Sequence, residues 1–156
     1  MALDAGALED AILAFLNDTA DDASAAADAL AEIYATYAAD GTFGASTVTI
    51  DGARESALAA TLLGGLAPSP SAAAFLTALS SGLGTFWTGA PVVGAQSGAT
   101  NGCPGAASLP AALAPILAVP NSREDAAGEL AGALHTATAT VTATVSPPPA
   151  TVLPIA

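Results

Sequence analysis

The last stretch of the chain, TATATVTATVSPPPATVLPIA (136–156), decides how the whole is read. From Thr136 to Val145 the alternation is strict, with Thr136, Thr138, Thr140, Thr142 and Thr144 on one face and Ala137, Ala139, Val141, Ala143 and Val145 on the other. A period of two predicts a strand over 136–145. Pro147, Pro148 and Pro149 must then run extended, in a polyproline-like conformation. The apolar tail ATVLPIA that follows reads as a segment built to dock. The expected organisation is a single helical domain over 1–145 and an extended Pro-rich C-terminal arm over 146–156.

Upstream, the period changes to that of a helix. Leu8, Ile12, Phe15, Leu16, Leu30, Ile33, Tyr34 and Tyr37 recur at three- and four-residue steps. They predict a helical stretch over 4–39, continuous or once broken, with Asp18, Asp21, Asp22, Asp28 and Glu32 on the other face. Asp40-Gly41 ends it. Thr47 to Ile50 alternates as a short strand, and further helices are predicted over 53–66, 71–88, 107–118 and 122–135. Ser69 or Ser71 is placed to cap the helix 71–88, and Asn121-Ser122 opens the last one ahead of Glu124 and Asp125. Residues 89–106, GAPVVGAQSGATNGCPGA, show no periodicity and read as a glycine-rich connection. The fold class expected is therefore mainly α: a helical bundle with a short strand near 47–50, a C-terminal strand near 136–145 and the extended arm.

Composition sharpens the functional reading. The 156 residues are 53% hydrophobic but only 4% aromatic, and charged residues are 10% of the chain, against about 25% in a typical soluble domain. There is no lysine; Arg54 and Arg123 face fourteen acids, giving a formal charge of -12. A surface that neutralises phosphates needs clustered Lys and Arg, so nucleic-acid binding and docking on an anionic membrane are not expected. Met1 to Phe15 has no basic region and carries Asp4, Glu9 and Asp10, unlike a secretory signal.

Eleven of the fourteen acids lie in residues 1–55, and no charge occurs from Ser56 to Ser122, a run of 67 residues. Charged side chains normally cover a surface, so such a span calls for cover by lipid, by the chain itself or by other subunits. The best apolar window, Ala72 to Ala90, is broken by Ser80, Ser81, Gly82, Gly84, Thr85, Thr88 and Gly89 and has no basic flanks, which disfavours a membrane span. Burial against other subunits fits best. The residues assigned to such contacts are Phe75, Leu79, Leu83, Phe86 and Trp87 on the helix 71–88, Val141 and Val145 on the strand, and Val152, Leu153 and Ile155 on the tail. The acidic helix would be a solvated face or would meet a basic partner.

Catalytic constellations are thin. His135 has no triad or metal partners near it in sequence. Cys103 lies in a span without a basic residue to lower its pKa. Gly94, Gly98, Gly102 and Gly105 lack the lysine that a phosphate loop needs. The acid pairs Asp21-Asp22 and Glu124-Asp125 sit where solvated acids are expected, and no spaced calcium loop occurs. The threonine row offers a single column, so a sheet partner or strand addition from another subunit explains it better than an ice-binding ladder. No enzyme, cofactor or metal is expected.

The segments FWTGAPVVGAQSGATNGCPGA (86–106) and ALHTATATVTATVSPPPATVLPIA (133–156) resemble small alanine-rich virion proteins of tailed bacteriophages with GC-rich genomes. The resemblance spans roughly the last half of the chain and, more loosely, the helix 53–66. It implies a structural subunit of the head, neck, tail or baseplate, made in the host bacterial cytoplasm and assembled into the virion with copies of itself and other virion proteins. Two other classes are a coat for a hydrophobic surface such as a storage granule, built on amphipathic helices, and a small enzyme using Cys103 or His135.

Overall fold

The computed structural model describes residues 3–18, 20–119, 121–146 and 151–156. Its elements follow one order three times over: two helices, then two strands. The first unit is α1 (Ala5–Asn17), α2 (Ala23–Ala39), β1 (Thr42–Phe43) and β2 (Ser46–Val48). The second is α3 (Gly52–Leu66), α4 (Ala72–Phe86), β3 (Thr88–Gly94) and β4 (Ser97–Asn101). The third begins with a 3-10 turn (Pro104–Ser108) and continues with α5 (Leu109–Leu117), α6 (Arg123–Thr138), β5 (Thr142–Ser146) and β6 (Thr151–Pro154).

Side-chain caps start most of these helices. Asp4, Asp22, Asp51, Ser71 and Ser122 each accept a backbone N–H of the first turn, satisfying donors that a helix cannot satisfy itself. Counted from the caps Asp22, Ser71 and Ser122, the second helix of each unit buries matching positions: Tyr34, Leu83 and Leu134, then Ala38, Trp87 and Thr138. The helices pack as a ring in which each touches the next and α6 returns to α1. Where α3 crosses α4 the backbones nearly meet, because a Cβ on Gly65 would lie 2.8 Å from the Ala74 carbonyl oxygen.

The strands form one antiparallel sheet in the order β1-β2-β3-β4-β5-β6. It curls until its edges touch: Thr42 N–H donates to Ala156 O at 3.0 Å, and Ala156 N–H donates back to Thr42 O at 2.9 Å. The result is a nearly closed barrel. Inward-facing Val48, Ala90, Val92, Thr100, Ala143 and Val145 are buried, while their neighbours Thr47, Pro91, Val93, Asn101 and Thr144 are exposed. Small inner residues allow the tight curl. Gly98 of β4 lies opposite Val145 of β5, so close that a Cβ there would fall on the Thr144 carbonyl.

The mainly α expectation is thus corrected to α+β, for three physical reasons. First, the glycine-rich segment 89–106 is no loop: it holds the hairpin β3–β4 and the 3-10 turn, hidden because Gly, Ala, Ser and Thr give little hydropathy contrast. Second, the strand expected over 136–145 is only Thr142–Ser146, and 136–138 is the last turn of α6. Ala and Thr at every second position also leave Ala131, Leu134, Ala137 and Thr138 on one helical face, and burial of that face holds the helix. Third, the tail is not an arm. Residues 151–154 are β6, paired with β5 in register from Val145↔Thr151 to Thr142↔Pro154. The proline run Pro147–Pro149 lies outside the described residues. The strand near 47–50 is Ser46–Val48, between β1 and β3. The first helical stretch is once broken, as the sequence allowed.

A strand and an arm predict different mutational patterns for the tail. Ile155→Ala removes a side chain only 7% exposed and should cost about 2–4 kcal/mol in urea unfolding, the range for buried aliphatic truncations. Val152→Ala, at 63% exposure, should change stability by less than about 0.5 kcal/mol. Equal, small effects at both positions would contradict β6 as a barrel strand.

Candidate interaction surface

Of the polar groups singled out in the sequence, Cys103 and Thr138 are buried and His135 half-buried, while Asp21, Asp22, Glu124 and Asp125 stay exposed. In the interior Tyr34 is the centre: its hydroxyl accepts from Trp87 Nε1 at 2.7 Å and lies 2.6 Å from Thr138 Oγ1, which itself donates to Leu134 O at 2.8 Å. Thr100 Oγ1 donates to the Trp87 carbonyl and accepts from Ala90 N–H at 2.9 Å. Beside this network, Tyr37 hydroxyl sits 2.7 Å from His135 Nδ1. Burial pushes both tyrosine pKa values upward, because a phenolate has no compensating charge there.

Cys103 is buried, donates to Ala137 O at 3.2 Å, and has its thiol pushed up by desolvation. That is the opposite of the shift that makes a cysteine nucleophilic at neutral pH. His135 is engaged by Tyr37, with no carboxylate bonded to it among the described residues. Nor do three or more His, Cys, Asp or Glu side chains converge there as a metal site. Arg54 explains itself: its guanidinium donates to Phe86 O at 2.6 Å, Thr88 O at 3.0 Å and Gly89 O at 2.7 Å. It therefore closes the C-terminal end of α4, where the helix dipole favours a cation, and it bolts the start of α3 to the turn into β3. Arg123 donates to Asn17 Oδ1 at 3.2 Å, tying α6 to α1.

The ten residues assigned to subunit contacts fall mostly inside one copy. Leu79, Leu83, Phe86, Trp87, Val141, Val145 and Ile155 are buried in its core, Phe75 and Leu153 are partly buried against that core, and Val152 alone of the ten is exposed. The threonine column is likewise completed within the chain, because β5 pairs with β4 on one side and β6 on the other. Most large apolar side chains of the uncharged span thus find cover at home, with Val93, Leu117 and Val119 left exposed. Along α3 and α4 what stays outside is the small-residue side of the helices.

Two surfaces remain, of opposite character. Along the α3–α4 hairpin runs a shallow, charge-poor valley, with Ala53, Ala57, Thr61 and Gly64 on the α3 side. On the α4 side are Ala73, Thr77, Ser81 and Thr85, all four exposed. Its threonines turn their hydroxyls back onto their own helices, Thr61 to Ala57 O at 2.9 Å, Thr77 to Ala73 O at 2.8 Å and Thr85 to Ser81 O at 3.2 Å. Each of these hydroxyls already has an acceptor, so covering the threonines strands no polar group. Between α1 and α2 lies a deeper open groove of about 760 Å³, floored by Leu8, Ala11, Phe15, Ala29 and Ile33. Carboxylates rim it: Asp4 and Asp40 at one end, Asp18 and Asp21 at the other, and Glu32 along α2.

The hydrophobic stripe of the first helices marked the groove floor in the sequence, and the interleaved acids marked its rim. Nothing in the local pattern marked Tyr34 and Trp87 as partners, since 53 positions separate them. Tyr34→Phe should cost about 1–3 kcal/mol in urea unfolding followed by Trp87 fluorescence, because it leaves the buried indole N–H without an acceptor. A change under about 0.5 kcal/mol would mean that the network is dispensable. Alkaline titration tests the tyrosines, the only two in the chain. Their folded pKa values are raised, so the folded state holds its phenolic protons more tightly than the unfolded. Stability should be intact below pH about 10, the ordinary tyrosine value, and fall as pH rises beyond it. Phenolate absorbance should then appear together with loss of the fold; its appearance in the intact fold would refute the burial.

No helix among the described residues is long and apolar enough to cross a membrane. Compared with known protein families, with curated proteins and with solved structures, the chain matches none.

Proposed function

We propose that the chain is a non-catalytic structural subunit that assembles with copies of itself and with neighbouring proteins. The setting, on the strength of the resemblance of segments 86–106 and 133–156, is the virion of a tailed bacteriophage. The observation that carries the assembly reading is the α3–α4 valley, an exposed face with no charge between Ser56 and Ser122 and with its threonine hydroxyls satisfied on their own helices. A face of this kind loses little on desolvation and lets a second backbone approach closely, as subunit packing requires. Its residues are too small to anchor in lipid or on a granule, where large apolar side chains are needed. The virion setting accounts for the alanine-rich, lysine-free composition by likeness alone.

Light scattering across a concentration series tests assembly. Wild-type protein should give a discrete oligomer, and Thr77→Glu with Ser81→Glu should return it to monomer with unchanged helical circular dichroism, since both positions are exposed. A wild-type monomer at every concentration would overturn self-assembly. Mass spectrometry of particles from cells that make the chain tests the setting: a fixed copy number per particle supports it, and particles lacking the chain refute it.

A further inference from the structure

The groove between α1 and α2 pairs two properties that rarely persist together on an unpartnered surface. Its floor is apolar over the length of α1, whose 13 residues run about 20 Å. Its rim carries Asp4, Asp18, Asp21, Glu32 and Asp40, with no basic side chain among the lining residues. The ends of the groove are spaced like the ends of a short helix, and no residue of α6, against which α1 packs, lines it.

We infer that this groove receives a basic amphipathic helix from a different protein. The occupant is an apolar face about 13 residues long, flanked by Lys or Arg that meet the rim. A second copy of the chain cannot fill the role. It has no lysine, and of its two arginines Arg54 is held by three backbone carbonyls. One Arg123 would then face five carboxylates, on a copy that also carries a formal charge of -12. A basic partner reverses these terms: Asp21, Glu32 and Asp40 gain counter-ions, and Phe15 and Ile33 gain cover. The inference deepens the assembly reading and rests on it, dividing the surface by chemistry. The neutral α3–α4 valley serves like copies, and the acidic groove serves an unlike neighbour.

The test uses full-length protein and a fluorescein-labelled amphipathic Lys/Leu helical peptide. The controls are a scrambled peptide of the same composition and a Glu/Leu counterpart. Anisotropy should show the amphipathic Lys/Leu peptide binding at least about tenfold more tightly than either control, with binding weakened near 1 M salt, where screening reaches about 3 Å. Asp21→Lys with Glu32→Lys should weaken binding about tenfold or more; neither residue caps a helix and both are exposed. Ala29→Phe, which fills the floor without touching charge, should weaken it too. Failure of the Lys/Leu peptide to bind, equal binding of the scrambled peptide, or indifference to both variants would overturn the inference. Light scattering on the same samples separates this from self-assembly: an unchanged oligomer with no peptide binding refutes the groove alone. A monomer that binds the peptide refutes assembly through the valley and leaves the groove standing.

Discussion

One hydroxyl, that of Tyr34, ties together elements from all three units of this fold. It accepts the indole N–H of Trp87, at the junction of α4 and β3, and sits against Thr138, at the last residue of α6 before β5. The interior it organises is dominated by alanine and leucine, side chains that pack tolerably in more than one register. A buried polar group does not tolerate alternatives: displaced by one helical turn, it loses its partners at the cost of desolvation. The phenol thereby fixes how α2, α4 and α6 sit over one end of the barrel. Phe86 stacks edge-on against Tyr34 and against Trp87, which completes the packing around the node.

Helices were the legible part of the chain, and the reason is local. Asp51, Ser71 and Ser122 are caps whose chemistry acts within three residues, so the starts of α3, α4 and α6 are written where they occur. Sheet pairing joins residues far apart, and in this chain the strands carry few large side chains to advertise it. In β3 and β4, Gly89, Gly94 and Gly98 break the alternation that Ala90, Val92 and Thr100 maintain inside the barrel. The Thr/Ala run misled for the converse reason, since two small residues satisfy both periods and tertiary burial of Ala137 and Thr138 chose the helix. A signal for the whole architecture did exist in the spacing of the caps Asp22, Ser71 and Ser122, about fifty residues apart, a period that points to repeated units.

Threefold repetition of the backbone is paired with three distinct surface chemistries. The α1–α2 hairpin is acidic around an apolar floor, the α3–α4 hairpin is almost free of charge, and α5–α6 mixes an apolar helix with Glu124, Asp125 and Glu129. The uncharged span seemed to demand a neighbour because its large residues were counted as surface. With Leu79, Leu83 and Trp87 inside, the part of it that α3 and α4 expose is small-residued, a face suited to a close-fitting backbone rather than to a hydrophobic anchor. The charge asymmetry between the two halves of the chain becomes a separation of faces.

The barrel is closed by Thr42 and Ala156, one near the start of the chain and one at residue 156. On a ribosome adding about 5–20 residues per second, the edge of β1 waits roughly 6–23 s for the segment that will cover it. Until residue 138 is added α1 also lacks α6, so the first unit emerges with neither of its closing neighbours. An edge of only two residues, Thr42–Phe43, is a poor template for strands of other chains. Brevity at β1 protects the nascent protein through the period when its ring is still open.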